Sequence, residues 1–167
     1  MRPVPAKGTA AGSTSKLPGG PPARTPVAAA LAGFRPHRSK GQNFLVQRHI
    51  ADRIVAAAQL KPSDHVIEIG PGLGILSESI MQACVQSLTM IELDLQLAAA
   101  LQARFRGAHA ITVINRDFLA LPAWPCDGLG KVVANLPFNV ASAILERLCT
   151  FRPRITRMVL MFQREVA

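Results

Sequence analysis

The chain has 167 residues, 49% of them apolar and 17% charged, with 19 Lys and Arg against 10 Asp and Glu. That length supports one domain with a real core and not two, and no uncharged apolar run reaches the ~18–20 residues of a membrane-spanning helix. The net charge of +9 points to a polyanionic partner without naming one.

Taken in chain order, the charge is uneven. Residues 1–51 carry eight basic groups and no acid, Asp52 being the first, so the remaining residues are close to neutral. Residues 1–33 hold six prolines and five glycines and show no amphipathic period. Such a segment buries too little apolar surface to offset its chain entropy, so residues 1–34 are expected to be a disordered basic arm. Its lack of acids resembles an organelle leader, but the prolines argue against the amphipathic helix a leader needs. A cytoplasmic location is the expectation.

A regular pattern begins at residue 47. Gln47–Leu60 reads as a helix with Ile50, Ile54, Val55 and Ala58 on one face. Expected strands at His65–Ile69, Ser87–Leu93, Ala110–Ile114, Lys131–Ala134 and Ile155–Phe162 are interleaved with expected helices at Leu73–Cys84, Gln96–Phe105 and Ala141–Leu148. Alternating strands and helices predict an α/β fold with a parallel sheet and ligands at the carboxyl ends of the strands. Cys84, Cys126 and Cys149 form no C-x-x-C pair and are expected to be small apolar core residues. No metal is expected.

The chemistry concentrates where strands end. After the first strand comes Glu68-Ile-Gly70-Pro-Gly72-Leu-Gly74, a turn in which missing side chains let backbone lie against a ligand. Its G-x-G-x-G spacing differs from that of dinucleotide enzymes, and a purely structural turn is the alternative. Glu92, at the end of the second strand, can accept both hydroxyls of a ribose; Asp94, two residues on, is expected to be more exposed. Asp117, after the third strand, can accept an exocyclic adenine amine, or can simply cap a helix. Glycines, Glu92 and Asp117 at consecutive strand ends suggest an adenosine-bearing ligand.

The fourth strand ends in Asn135-Leu136-Pro137-Phe138. Pro137 cannot continue a ladder and would hold the Asn135 amide oxygen and the Leu136 carbonyl at the sheet edge. Two converging acceptors suit a planar NH₂ group, and an aromatic ring beside them can stack on an extruded base.

Gly41-Gln-Asn-Phe-Leu45, Val66–Gly74, Ile91-Glu-Leu-Asp94, Arg116-Asp-Phe118 and Asn135-Leu-Pro-Phe-Asn139 together resemble the KsgA-type ribosomal RNA small-subunit adenine N6-dimethyltransferases. The resemblance runs from about Arg35 to the end. It implies a Rossmann-like methyltransferase fold, S-adenosylmethionine as methyl donor, and two adjacent adenines in a hairpin near the 3′ end of small-subunit rRNA as substrate. It further implies a monomer acting on a pre-ribosomal particle. By position, Asn43, Leu45 and Gly72 would contact the cofactor, Gly70 its methionine end, Glu92 the ribose and Asp117 the adenine, and Asn135 would sit where cofactor and target base meet. Asn135, Leu136, Pro137 and Phe138 would hold the target base; the family more commonly has Tyr where Phe138 stands.

Family members continue past the position of Ala167 with more sheet and a helical rRNA-binding domain. Residues 35–167 are therefore expected to be an incomplete catalytic domain. Two alternatives share the fold: an Erm-type large-subunit rRNA methyltransferase, and a non-catalytic RNA-binding, assembly or mitochondrial transcription factor. Arg152, Arg154, Arg157 and Arg164 suit RNA contact in any of these, or a solvated loop.

Overall fold

The computed structural model describes residues 44–108, 110–137 and 139–162. The expectations placed on Asn43, on Phe138 and on the arm 1–34 fall outside these residues. The described chain runs α1 (Arg48–Ala58), β1 (His65–Ile69), α2 (Ile75–Gln82), β2 (Ser87–Glu92), α3 (Leu95–Arg104), β3 (Ile111–Asn115), β4 (Gly130–Asn135), α4 (Ala141–Thr150) and β5 (Ile155–Met161).

The five strands form one sheet in the order β3-β2-β1-β4-β5, every pair parallel. Parallel neighbours need crossovers, and the intervening helices supply them. The chain winds outward from β1 to β3, then returns to the other side of β1 for β4 and β5. That reversal leaves a crevice between the carboxyl ends of β1 and β4. The expected α/β class is the observed one.

Alternation along each strand sorts the core into two layers. Val66, Leu88, Met90 and Val133 point toward α1, α2 and α3, where they pack with Ala51, Ile54, Ile80 and Leu101. Ile67, Ile69, Ile91, Val132 and Ala134 point to the other side and meet Ile144 and Leu148 of α4. Strands buried on both faces read as continuous apolar runs, as these do. Each such fully buried side chain contributes roughly 1.5–3 kcal/mol.

Element ends shift for local reasons. α2 starts at Ile75, not at Leu73, because Gly72 (φ 56°) and Gly74 (φ 77°) adopt left-handed backbone that cannot belong to a right-handed helix. The cysteines depart from expectation: Cys84 and Cys149 are exposed and Cys126 is half-buried, so none is a core residue. Cys84 sits in the turn after α2 at φ 52°, where the chain leaves the helix.

The amino-terminal edge of the sheet is tied by Lys131. Its Nζ lies 2.8 Å from Asp64 Oδ2 and donates to the carbonyls of Gln59 at 2.6 Å and Ala58 at 3.4 Å. The ammonium thereby satisfies carbonyls that the last turn of α1 leaves without partners and sits at the negative end of the helix dipole. Among the described residues no helix is long and apolar enough to cross a membrane.

Candidate active site

The carboxyl ends of β1, β2 and β4 and the segment after β3 open onto one cleft. Leu45, Gly70, Gly72, Glu92, Asp117, Asn135 and Pro137 all line it, so most residues singled out from sequence share a wall. Leu136 does not line it. Its side chain is buried in the α4 layer and its N–H donates to the Met161 carbonyl at 3.1 Å, which joins the end of β4 to β5.

Register explains why these side chains meet. Ile69 pairs with Ile91 and with Ala134, so the next residues along (Gly70, Glu92 and Asn135) form a row across the sheet; Asn115 extends it on β3 as the partner of Glu92. The Gly70 N–H continues the pattern, donating to the Ile91 carbonyl at 2.9 Å. At Gly70 the φ is 65° and nothing lies within 4 Å of where a Cβ would stand. The row therefore has a gap where backbone faces open cleft. At Gly72 the constraint is steric as well, since an added Cβ would stand 2.9 Å from the Phe44 ring.

Glu92 fastens the turn. Its Oε2 accepts from the Gly72 N–H at 3.0 Å and its Oε1 from the Asp94 N–H at 2.9 Å. Burial pushes the Glu92 carboxyl above its ordinary range, opposed by those same N–H groups. Each oxygen has a second acceptor position, so two hydroxyls of a sugar can still be taken. Asn115 holds the strand end from beside, its Nδ2 donating to the Glu92 carbonyl at 2.9 Å and to the Leu93 carbonyl at 3.2 Å.

Asp94 is not the exposed residue expected. It is buried and caps α3, with Oδ1 accepting from Gln96 and Leu97 N–H at 2.9 and 3.3 Å. Leu93 between the two acids is the exposed one, at 61%, and its apolar side chain borders the cleft. Asp117 combines both readings given to it. Its Oδ1 caps the short turn Phe118–Ala120 through the Leu119 N–H at 2.9 Å, while the residue lines the cleft.

Beneath the turn, Arg104 Nη1 donates to the Leu73 carbonyl at 2.8 Å and Nη2 pairs with Glu78, which also pairs with Arg48 at 2.7 Å. One carboxylate thus ties α1, α2 and α3 under the glycines.

Sequence reasoning quoted Glu68 within the motif but assigned it no role. It lines the cleft yet is 1% exposed, and among the described residues neither carboxyl oxygen has a hydrogen-bond partner. Burial pushes it up to about 8, the neighbouring Ser77 hydroxyl tempering that rise and Glu92 adding to it. A lone acid in the apolar run His65–Ile69 was the available signal. The residues lining this cleft fit an adenosine-bearing, positively charged ligand: backbone without a side chain at Gly70, acceptors at Glu92, apolar surface at Leu93, and a buried acid with no partner among the described residues.

Comparison with known proteins follows the same lines. Residues 33–167 match the family model described as ribosomal RNA adenine dimethylase. Curated relatives named ribosomal RNA small subunit methyltransferase A include one from Syntrophotalea carbinolica, 43% identical over 79% of this chain and 50% of its own length. Another, from Parasynechococcus marenigrum, is 38% identical over 83% of this chain and 48% of its own. The chain spans about half the length of the curated relatives it matches. Among solved structures, the 23S rRNA methyltransferase ErmE is 35% identical with a TM-score of 0.63, covering 74% of this chain and 49% of that one. A dimethyladenosine transferase from Plasmodium falciparum is 29% identical with a TM-score of 0.64, covering 74% of this chain and 44% of its own.

Proposed function

The chain belongs to the ribosomal RNA adenine dimethylase family, and we propose that its protein dimethylates N6 of two adjacent adenines in a hairpin near the 3′ end of small-subunit rRNA. S-adenosylmethionine would be the donor, the pre-ribosomal small-subunit particle the partner, and the active species a cytoplasmic monomer. The observation that carries this reading is the row Asn115–Glu92–Gly70–Asn135 at the switch point, which brings a carboxylate and an amide together across a side-chain-free gap.

Bound there, S-adenosylmethionine supplies an electrophilic methyl on a sulfonium. Glu92 would hold the ribose hydroxyls, Asp117 the adenine amine, and Gly70, Gly72, Leu45 and Asn43 the remainder. The target N6 lone pair is delocalised into its ring and is a poor nucleophile. Acceptors at the Asn135 amide oxygen and the Leu136 carbonyl would draw the amine toward tetrahedral geometry, and Phe138 would stack on the base. Pro137 would fix both acceptors. Catalysis of this kind is positioning, worth several kcal/mol, and needs no strong base.

A large-subunit substrate is the second reading, favoured by the likeness to ErmE; the curated relatives favour the small subunit. Labelled methyl transfer by the protein at the length of its relatives, offered unmodified small and large particles in parallel, separates them. Label in small-subunit rRNA supports the proposal; label in large-subunit rRNA alone transfers the assignment to the second reading, and label in neither removes both.

A further inference from the structure

Glu68 poses a question that the binding roles above leave open. It belongs to the same face of the sheet as Glu92 and Asn135, one pleat below them, since it pairs with Met90 on β2 and Val133 on β4. It therefore lies beneath Gly70, in the gap between the sugar acceptor and the amide. An acid so placed would ordinarily be paired or hydrogen-bonded. Here both oxygens are buried without a partner among the described residues, and so is the Ser77 hydroxyl facing it from α2.

No cation among the described residues compensates it. On β2 the charged neighbour is Glu92, another acid. On β4, Val133 is apolar, Asn135 is neutral, and Lys131 is held by Asp64 at the far edge. On the helices above that face, Arg48 and Arg104 are both paired with Glu78, and Asp52 accepts from Ser79 at 2.8 Å. The segment at the cleft's entrance contributes apolar Phe44 and Leu45. Among the described residues the balance is left to a ligand's positive charge or to a proton on the carboxyl itself.

A donor whose ribose were held at Glu92 and whose reacting group were presented at Asn135 would have to cross the gap above Glu68, bringing its sulfonium near that carboxyl. We propose that Glu68 is a specificity-determining residue that keeps its proton while no donor is bound and releases it to solvent when a sulfonium settles above it, favouring S-adenosylmethionine over S-adenosylhomocysteine. Methyl transfer leaves the sulfur neutral, so the same carboxyl then recovers a proton and the product is held less tightly. The inference rests on the proposed cofactor and adds to it a means of telling donor from spent product.

Calorimetric titration of the protein with each ligand, in buffers of different ionisation enthalpy, counts the protons released. S-adenosylmethionine is expected to release about one proton at pH 7 and close to none at pH 9.5. S-adenosylhomocysteine shares the same amino-acid end but lacks the sulfonium, and is expected to release markedly fewer. Glu68→Gln, nearly isosteric with the protonated acid, should abolish the difference and lower the donor-to-product affinity ratio about tenfold. Equal release with both ligands, no release in the wild type at pH 7, or release that persists in Glu68→Gln overturns the inference. The wild-type proton count decides even if that variant fails to fold. Failure of both ligands to bind the wild type would instead overturn the cofactor assignment, and this inference with it.

Discussion

Lys131 and Glu68 stand on one face of neighbouring strands, separated by a single step in register, yet their surroundings are opposite. The lysine faces the amino-terminal edge and is fully engaged, with Asp64 beside it and two helix carbonyls in reach. The glutamate faces the carboxyl-terminal edge with neither oxygen paired among the described residues. The lysine's charge, taken out of water at a cost, is compensated within the fold. For the glutamate burial favours the protonated form instead, no cation among the described residues being there to offset a charge. The contrast separates residues that hold the sheet from residues that use it.

The largest expected break in this contrast is functional. Asn135→Ala in the protein at the length of its relatives should lower methyl transfer by on the order of 100-fold or more, as loss of a positioning hydrogen-bond partner does, while its thermal midpoint stays within a few degrees of wild type. A rate within threefold of wild type would refute the role given to that amide. Lys131→Met should do the reverse at the other edge. By leaving Asp64 and the carbonyls at the end of α1 without their partner, it is expected to cost about 1–3 kcal/mol in urea unfolding, with donor affinity unchanged.

Acidity gives a third test of similar size. The Glu68 carboxyl is pushed up to about 8 in the folded chain from an ordinary 4.5. The native state therefore binds more protons than the unfolded state between those values, and stability falls as pH rises through that window. Glu68→Gln should flatten that dependence and, at pH 8.5, exceed wild-type stability by about 1 kcal/mol or more in chemical denaturation. A wild-type profile that is level from pH 5 to 8 would contradict the uncompensated acid. The smallest effect is expected at Asp117→Asn, which retains an acceptor for the Leu119 N–H. Its unfolding free energy should change by about 0.5 kcal/mol or less, and donor affinity should fall several-fold if the acid receives the adenine amine.

Much of this arrangement was legible in the residues. Strand–helix alternation gave the parallel sheet because both faces of the central strands β1, β2 and β4 had to be largely apolar, and the glycine turn, Glu92, Asp117 and Asn135 announced themselves by standing where strands end. What could not be read was what each group would find around it. Asp94 is two residues from Glu92, and only the start of α3 decides that it is a buried cap and that Leu93 is the exposed neighbour. Leu136 was grouped with the cleft through its carbonyl, whereas its side chain belongs to the opposite layer, as alternation after Ala134 requires. The cysteines looked like core residues by type, but two of them stand at helix ends, where burial depends on the turn that follows. Glu68 was visible as an acid in an apolar strand, and its meaning came only from the folded surroundings, where no described residue partners it.

Sequencing by mass of small-subunit rRNA after incubation with S-adenosylmethionine tests the central assignment most directly. Unmodified particles treated with the protein at the length of its relatives should gain four methyl groups on two adjacent adenines near the 3′ end, and gain none or a trace with Asn135→Ala. Unchanged mass in that hairpin with the wild-type protein, in particles that a known small-subunit dimethylase does modify, would contradict it.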